Sequence, residues 1–271
     1  MSAPELIDTH CHLNFHSYDD DRAEALKRAK LAGVKTIIIP AIDGPSCHQA
    51  LELAEQHEEV FAAIGVHPNS CSDFTASHVD DLRTLSRQQD IVAIGEIGLD
   101  YYWDKCPKPR QHRALEAQLE LAAQLELPVI LHNREAGKDL LAALVAWAPT
   151  APASLRGRLG VLHSFSASLE VAQRAVELGF YIGFTGPITY KKADDLRAIA
   201  ACLPQDRILI ETDGPFLAPQ QRRGKRNEPA FLPFINERLA ELHGITAEAM
   251  AHQTSKNAKR LFALPSALKN D

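Results

Sequence analysis

The chain has few cysteines and no long apolar run, and each absence excludes a class of protein. Its five cysteines are scattered over 271 residues and include no C-x-x-C pair. That pattern argues against a disulfide framework and a zinc–thiolate site, and it fits a reducing compartment. The longest apolar runs, such as residues 36–41, are far shorter than the roughly 20 residues that cross a bilayer. Because no secretory leader precedes the first predicted strand, we expect a cytoplasmic protein with no membrane association and no obligate protein partner.

An excess of positive charge is also missing. The formal net charge is −6, whereas a protein that grips duplex nucleic acid over a broad face is usually basic. A polyanionic substrate would therefore have to be attracted locally, by bound cations or by a short basic loop. One stretch, residues 221–229, supplies four cations: Arg222, Arg223, Lys225 and Arg226. We predict that they bind nucleic-acid phosphates, with a solvated charge run as the alternative.

Apolar, β-branched runs alternate with segments of helical period along the chain. The predicted strands are residues 6–10, 34–40, 61–67, 91–97, 129–132, 160–163, 181–184 and 208–212. Segments 20–31, 113–125 and 169–178 carry apolar residues at three- and four-residue spacing, as amphipathic helices do. No linker or low-complexity stretch interrupts them. Eight such alternations predict an α/β protein, a (β/α)₈ TIM barrel formed as a single domain over residues 1–271.

Ligand-type residues recur at one end of these predicted strands. The residues at or just beyond the carboxyl ends are His10, His12, His67, Glu96, His132, His163 and Asp213. Because the βα-loops of such a barrel converge at that rim, side chains far apart in sequence meet there. We therefore predict one polar bowl at the C-terminal rim.

The H-x-H pair His10 and His12 is the first element of this bowl. Alternate side chains of an extended strand share a face, so both rings can hold one ion. Two partly exposed loop histidines are the alternative. Cys11 points to the opposite face, where we expect packing, and Asp8 is expected to orient a histidine ring through its second nitrogen.

The remaining histidines and Glu96 follow the same logic. A carboxylate such as Glu96 in a buried strand is costly unless it is paired or metal-bound. A salt bridge to Arg134 is the alternative, but one carboxylate can also bridge two cations. His132 and His163 each close a buried strand. Singly, each would be a satisfied core histidine, whereas together on one rim they favour ligation.

Asp213 follows the last predicted strand, where it can bind metal and also accept a proton from metal-bound water. Glu211 faces the same way one layer deeper, and we assign it a supporting role. Four histidines and two carboxylates without cysteine suit Zn²⁺, Mn²⁺, Ni²⁺ or Mg²⁺. Two divalent ions about 3.5–4 Å apart would clamp the attacking and leaving oxygens of a displacement at phosphorus.

At these residues the sequence resembles the TatD family of metal-dependent deoxyribonucleases, within the amidohydrolase-like barrel group. The resemblance runs almost end to end. It is carried by DTHCH at 8–12, GVHP at 65–68, GEIGLDY at 95–101, PVILHNR at 128–134, HSFS at 163–166, ETDGPFL at 211–217 and RGKRNEP at 223–229. Two departures, Gly214 where Ser or Ala is common and Ser164 where Cys is common, fall on residues that are not ligands.

The resemblance implies a TIM barrel with a two-metal site and 3′-directed exonuclease activity on DNA, with RNA as a further substrate. The ligand roles it implies fall on His10, His12, Glu96, His132, His163 and Asp213. It also places His67 beside the substrate phosphate, as a hydrogen-bond donor more than a ligand. The combined prediction is a 3′–5′ exodeoxyribonuclease acting on single-stranded or frayed 3′ ends, with Asp213, Glu96 and His67 as catalytic residues.

Two residue assignments remain open between a functional and a structural role. Arg134 either neutralises a phosphate oxygen or forms a rim salt bridge to Glu135 or Asp139. The aromatic run 101–103 either stacks a terminal base, as exposed aromatics do in single-strand binding, or folds onto its own hydrophobic patch.

Two other functions compete with the nuclease. The first is an amide, lactone or phosphotriester hydrolase on the same barrel. Many such relatives bridge their metals with a modified lysine at the fourth strand, where this chain has Glu96, and Lys105 lies well outside that strand. The second is a non-enzymatic nucleic-acid or protein adaptor, which predicts a damaged site, whereas every ligand position here is filled.

Overall fold

The computed structural model describes residues 5–265, and eight parallel strands form their centre. The strands are β1 (Leu6–Asp8), β2 (Val34–Pro40), β3 (Val60–Ile64), β4 (Ile91–Asp100), β5 (Val129–Arg134), β6 (Gly160–Leu162), β7 (Tyr181–Phe184) and β8 (Ile208–Ile210). Each pairs with its neighbour in sequence. Backbone hydrogen bonds from Thr9 to Ile210 and from Asp213 to His10 return β8 to β1. The predicted (β/α)₈ barrel is confirmed.

Helices surround this sheet. They are α1 (Arg22–Leu31), α2 (Gly44–Gln56), α3 (Ala76–Leu85), α4 (Lys108–Leu125), α5 (Gly137–Trp147), α6 (Leu169–Leu178), α7 (Asp194–Cys202), α8 (Leu232–His243) and α9 (Ala247–Phe262). Predicted helix 169–178 coincides with α6, whereas α4 begins five residues before the predicted start at 113, with Pro109 in its first turn. None of the helices within residues 5–265 is both long and apolar enough to span a membrane.

Helix α9 closes the end of the barrel that lies away from the predicted bowl. Asn257 donates through Nδ2 to the carbonyl of Ile208, the first residue of β8, at 2.8 Å. Leu261 and Phe262 pack into a buried cluster with inward-facing strand residues such as Ile38 and Ile130. Because this end is plugged by side chains, access to the barrel interior is confined to the C-terminal rim.

Several strand ends differ from the predicted ones. β1 stops at Asp8, and after a bend at Thr9 the chain makes an isolated bridge between Cys11 and Gly214. β4 instead continues to Asp100, because Leu99 and Asp100 keep pairing with β5. At the rim, β1 and β8 therefore end before the predicted ligand residues, whereas β4 continues beyond Glu96. That difference extends β4 toward the bowl.

Candidate metal centre

The structure brings the seven ligand-type residues of the sequence prediction into one cluster at the C-terminal rim. Two atom groups can be distinguished there, and Glu96 belongs to both. The carboxylate is almost fully buried. Its Oε2 faces the β1 and β8 side, and its Oε1 faces the histidines of the following strands.

The first group consists of His10, His12, Asp213 and Oε2 of Glu96. The Nε2 atoms of the two histidines lie 3.3 Å apart. Glu96 Oε2 is 3.5 Å and 3.6 Å from them, and Asp213 Oδ1 is 3.7 Å and 3.6 Å from them. Four ligands placed tetrahedrally about 2.1 Å from a common centre lie about 3.4 Å from each other. The separations of the two histidine nitrogens from each other and from each carboxylate oxygen are therefore close to the spacing that a zinc-sized cation requires, and His10, His12 and Glu96 form a group that could hold one ion.

The protonation of the two histidines favours the same conclusion. His12 Nδ1 lies 3.2 Å from the carbonyl oxygen of Pro40, which can only accept a hydrogen bond, so Nδ1 carries the proton and Nε2 keeps its lone pair. Burial lowers the pKa of His12 to about 4. Burial, together with the neighbouring His163 ring, lowers the pKa of His10 well below its usual value. Both rings are neutral at neutral pH, as metal ligands must be.

The second group surrounds Oε1 of Glu96. This oxygen lies 2.8 Å from His132 Nδ1, 3.1 Å from His163 Nε2 and 3.5 Å from His67 Nε2. Burial alone would raise the pKa of Glu96, but the surrounding histidines, His163 first, outweigh it and hold that pKa well below the usual value. The carboxylate is therefore ionised, with one oxygen for each group.

His67 differs from the other histidines of the second group. Its Nδ1 accepts a hydrogen bond from the backbone amide of Asn69 at 3.0 Å, and an amide can only donate. The neutral ring must therefore carry its proton on Nε2, the atom that faces the bowl. Burial, with a contribution from His132, lowers the pKa of His67 and keeps the ring neutral. The geometry makes His67 a hydrogen-bond donor to the bowl.

Asp100 is a site residue to which we assigned no role from the sequence. Its Oδ2 lies 3.0 Å from His132 Nε2 and accepts a 3.0 Å hydrogen bond from Asn69 Nδ2. Burial would raise the pKa of Asp100, but the hydrogen bonds from His132 and from the Trp103 amide hold it below its usual range. The sequence could have indicated Asp100, because strand alternation puts residues 96, 98 and 100 of β4 on one face.

Glu211, to which we assign a supporting role from the sequence, lies beneath the second group. It is fully buried, and its Oε1 is 3.4 Å from His163 Nδ1. The same carboxylate accepts hydrogen bonds from the Ser164 amide and, at 3.1 Å, from the Thr9 hydroxyl. Gly183 makes this position possible, because a Cβ there would lie 2.5 Å from Glu211 Oε1. Glu211 thus lies against the side of the His163 ring that faces away from Glu96.

The prediction for Asp8 is wrong. Its carboxylate accepts hydrogen bonds from the Thr212 amide and hydroxyl, at 2.9 Å and 2.6 Å, and from the His10 amide at 3.3 Å. Within residues 5–265 it makes no hydrogen bond to an imidazole nitrogen, because it sits where β1 meets the loop after β8 and faces that backbone. Burial raises the pKa of Asp8 to about 7. Its role is to join the two chain segments that carry the first group. Cys11, in contrast, is fully buried in the core, as predicted.

Asp213 stands in a turn that Asn227 stabilises by hydrogen bonds. Asn227 is the second site residue to which we assigned no role from the sequence. Asn227 is fully buried and donates through Nδ2 to the carbonyls of Thr212 and Phe216, at 2.6 Å and 2.7 Å. Asp213 has a left-handed backbone with φ of 56°, which aspartate tolerates better than most residues. Burial, partly offset by His163, raises the pKa of Asp213 to about 7. Only its place in the RGKRNEP motif could have singled out Asn227.

The four cations of the basic loop separate into two kinds. Arg226 binds Asp21 of the α1 region with both terminal nitrogens, at 2.6 Å and 2.9 Å, so its charge is compensated and it fastens the loop to the barrel. The prediction that it binds substrate is corrected accordingly. Arg222, Arg223 and Lys225 are exposed.

Arg134 is exposed and stacks its guanidinium 4.6 Å from the centre of the Tyr102 ring. Within residues 5–265 it makes no ion pair with Glu96, Glu135 or Asp139, so the salt-bridge alternatives are wrong. Asp139 instead accepts a 2.6 Å hydrogen bond from the Tyr101 hydroxyl.

Comparisons with known proteins cover nearly the whole chain. A family model described as TatD related DNase matches residues 7–263. The chain is 41% identical over 259 residues to the uncharacterized metal-dependent hydrolase YabD of Bacillus subtilis, covering 96% of this chain and 99% of that protein. It is 36% identical over 265 residues to the 3′-5′ ssDNA/RNA exonuclease TatD of Pantoea ananatis, covering 96% and 100%. The crystal structure of YJJV, a TatD homolog from Escherichia coli K12, has a TM-score of 0.89 at 36% identity and covers 96% of this chain and 98% of that one.

Proposed function

The chain belongs to the family of TatD-related DNases and is a metal-dependent hydrolase, and from that premise we propose that it is a 3′–5′ exonuclease with a two-metal site. We infer that its substrate is the single-stranded or frayed 3′ end of DNA, with RNA as a further substrate. The relative from Pantoea ananatis carries this activity in its name.

One observation supports the two-metal site above all others, namely the placement of the Glu96 carboxylate. Its two oxygens face two separate donor groups, at 3.5–3.6 Å and 2.8–3.5 Å from the nearest imidazole nitrogens. We assign His10, His12, Asp213 and Glu96 to one ion and His132, His163 and Glu96 to the other. When bound, such divalent ions would polarise the phosphate oxygens and make water a stronger nucleophile at neutral pH.

The protein groups around the two ions have distinct tasks in this proposal. His67 donates a hydrogen bond from Nε2–H to a non-bridging phosphate oxygen and so stabilises the charge that develops there. Asp213, whose Oδ1 lies 3.6–3.7 Å from the two histidine nitrogens of the first group, accepts the proton of the attacking water. Arg134, exposed at the rim, neutralises a neighbouring phosphate.

Polarity and end dependence can be tested with labelled oligonucleotides. Protein stripped with chelator and reloaded with Mn²⁺ should convert a 5′-labelled single strand into a ladder that shortens one nucleotide at a time. A closed single-stranded circle should stay intact, because the bowl admits a terminus. Release of the 5′ label as a mononucleotide without a ladder, as digestion from the 5′ end would give, or rapid cutting of the circle, would refute the proposed activity.

The basic loop should contribute by binding phosphates alone. Replacing Arg222, Arg223 and Lys225 by Gln should weaken oligonucleotide binding and flatten its salt dependence, by about 0.7 in the log–log slope for each phosphate that the loop no longer binds. The matched control is Arg226→Gln, which breaks the bond to Asp21 and should lower the melting temperature with little effect on that slope. Binding is measured by fluorescence anisotropy across a salt series. An unchanged slope in the triple variant would show that these cations form a solvated charge run and do not bind phosphates.

A further inference from the structure

Exposed aromatic side chains are concentrated around the candidate metal centre. Within residues 5–265, five large apolar side chains are exposed, and three of them are aromatic: Tyr102, Trp103 and Phe216, at 51%, 54% and 51%. The other two, Leu31 and Val145, lie on the outer helices α1 and α5. The aromatic three lie on the loops that follow β4 and β8. In a closed barrel of eight strands in sequence order, β4 and β8 stand on opposite sides.

The wall on the β4 side has a hydrogen-bonded backbone and two neighbouring cations. The Tyr102 and Trp103 rings lie 4.8 Å apart, edge to face, and the backbone amides of both residues donate to Asp100 Oδ1 at 3.0 Å. Asp100 is the carboxylate that also meets His132. The Arg134 guanidinium covers one face of Tyr102, and Lys105 Nζ lies 5.9 Å from the Trp103 ring. Aromatic faces with adjacent cations are typical of surfaces that hold single-stranded nucleic acid.

The wall on the β8 side is Phe216, three residues after Asp213. Its amide donates to the Asp213 carbonyl at 2.9 Å, and its carbonyl accepts from the buried Asn227 at 2.7 Å. Its ring lies 6.3 Å from the His12 ring. Since the backbone is fixed on both sides, little conformational freedom would be lost when a ligand packs against the ring.

We propose that Tyr102 and Trp103 on one side and Phe216 on the other form an aromatic clamp that stacks unpaired bases next to the scissile linkage. This inference rests on the proposed function and adds how the strand end is recognised. Every base offers a π-face, so the clamp tolerates any sequence. Bases of an intact duplex are already stacked on their neighbours, so the clamp selects single-stranded and frayed ends.

Binding without hydrolysis tests the clamp directly. In chelator, affinities are compared for oligothymidylate and for an abasic oligomer of the same length and charge. We expect Trp103→Ala and Phe216→Ala each to weaken oligothymidylate binding by about 10-fold and to leave the abasic oligomer unaffected. Leu31→Ala is the matched control at a remote exposed position. Equal affinity of the unaltered protein for both oligomers would overturn the clamp.

Intrinsic fluorescence gives a second, independent readout. The chain has two tryptophans, and Trp147 is only 8% exposed, packed near Phe180. In a Trp147→Phe background, Trp103 is the sole tryptophan reporter. Oligothymidylate should quench its emission and the abasic oligomer should not. Quenching of equal depth by both oligomers would contradict base stacking on this ring.

Hydrolysis assays separate a failure of the clamp from a failure of the proposed function. With Mn²⁺, the unaltered protein should remove a base-bearing 3′ end about 10-fold faster than an end with an abasic terminal or penultimate unit, and Trp103→Ala or Phe216→Ala should erase that preference. Base-dependent binding without any hydrolysis would refute the exonuclease and keep the clamp. Equal hydrolysis of both ends by all variants would refute the clamp and keep the exonuclease.

Discussion

Glu96→Gln should lower turnover by about 10³-fold or more and reduce the bound divalent ions from two per chain to one. Glutamine keeps one oxygen, but its NH₂ group has no lone pair to offer a cation. Since the two Glu96 oxygens face different donor groups, the amide can serve only one of them. Ion content is measured by mass spectrometry on dialysed protein, and turnover on the labelled oligonucleotide.

Two further variants sharpen this result. Glu96→Asp keeps both oxygens on a stem one methylene shorter, and it should retain more activity than the amide. Glu116→Gln, on the exposed face of α4, makes the same chemical change away from the site and should leave both measurements unchanged. If Glu96→Gln bound two ions and kept full turnover, the shared carboxylate would not be the centre of the site.

Asp213→Asn should lower turnover by about 10²–10⁴, the usual contribution of a general base. The amide keeps an oxygen 3.6–3.7 Å from the two histidine nitrogens of the first group, so an ion can still bind there. What it loses is the capacity to accept a proton. KM should therefore change much less than turnover.

A competing assignment of the base can be tested in parallel. Glu211 is the other carboxylate on this side, but its oxygens already accept from Ser164 and Thr9 and lie behind the His163 ring. Glu211→Gln should act through the position of that ring, reducing metal affinity by about 10–100-fold while saturating metal restores turnover. Wild-type turnover in Asp213→Asn, with loss in Glu211→Gln at saturating metal, would move the base to Glu211.

The barrel and the convergence of ligand-type residues were predictable because both follow from local sequence patterns. Alternating apolar runs set the strands, and residues at their carboxyl ends must meet at one rim. His10 and His12 still converge, with their Nε2 atoms 3.3 Å apart, although β1 stops at Asp8 and the chain bends at Thr9.

The interactions that depend on side-chain orientation were not predictable from spacing. Asp8 lies two residues before His10, and nothing local indicates that it turns to the Thr212 backbone instead of an imidazole. Arg226 resembles its neighbours in the basic loop, yet it forms an ion pair with Asp21, some two hundred residues away in sequence. Both outcomes depend on which surface of a distant loop lies opposite, and that is fixed only once the barrel closes.

Anomalous diffraction from crystals grown with Mn²⁺ tests the central claim most directly. We expect two anomalous peaks about 3.5–4 Å apart, one among His10, His12 and Asp213 and the other between His132 and His163, with Glu96 between them. A single peak, or peaks away from Glu96, would contradict the two-metal centre.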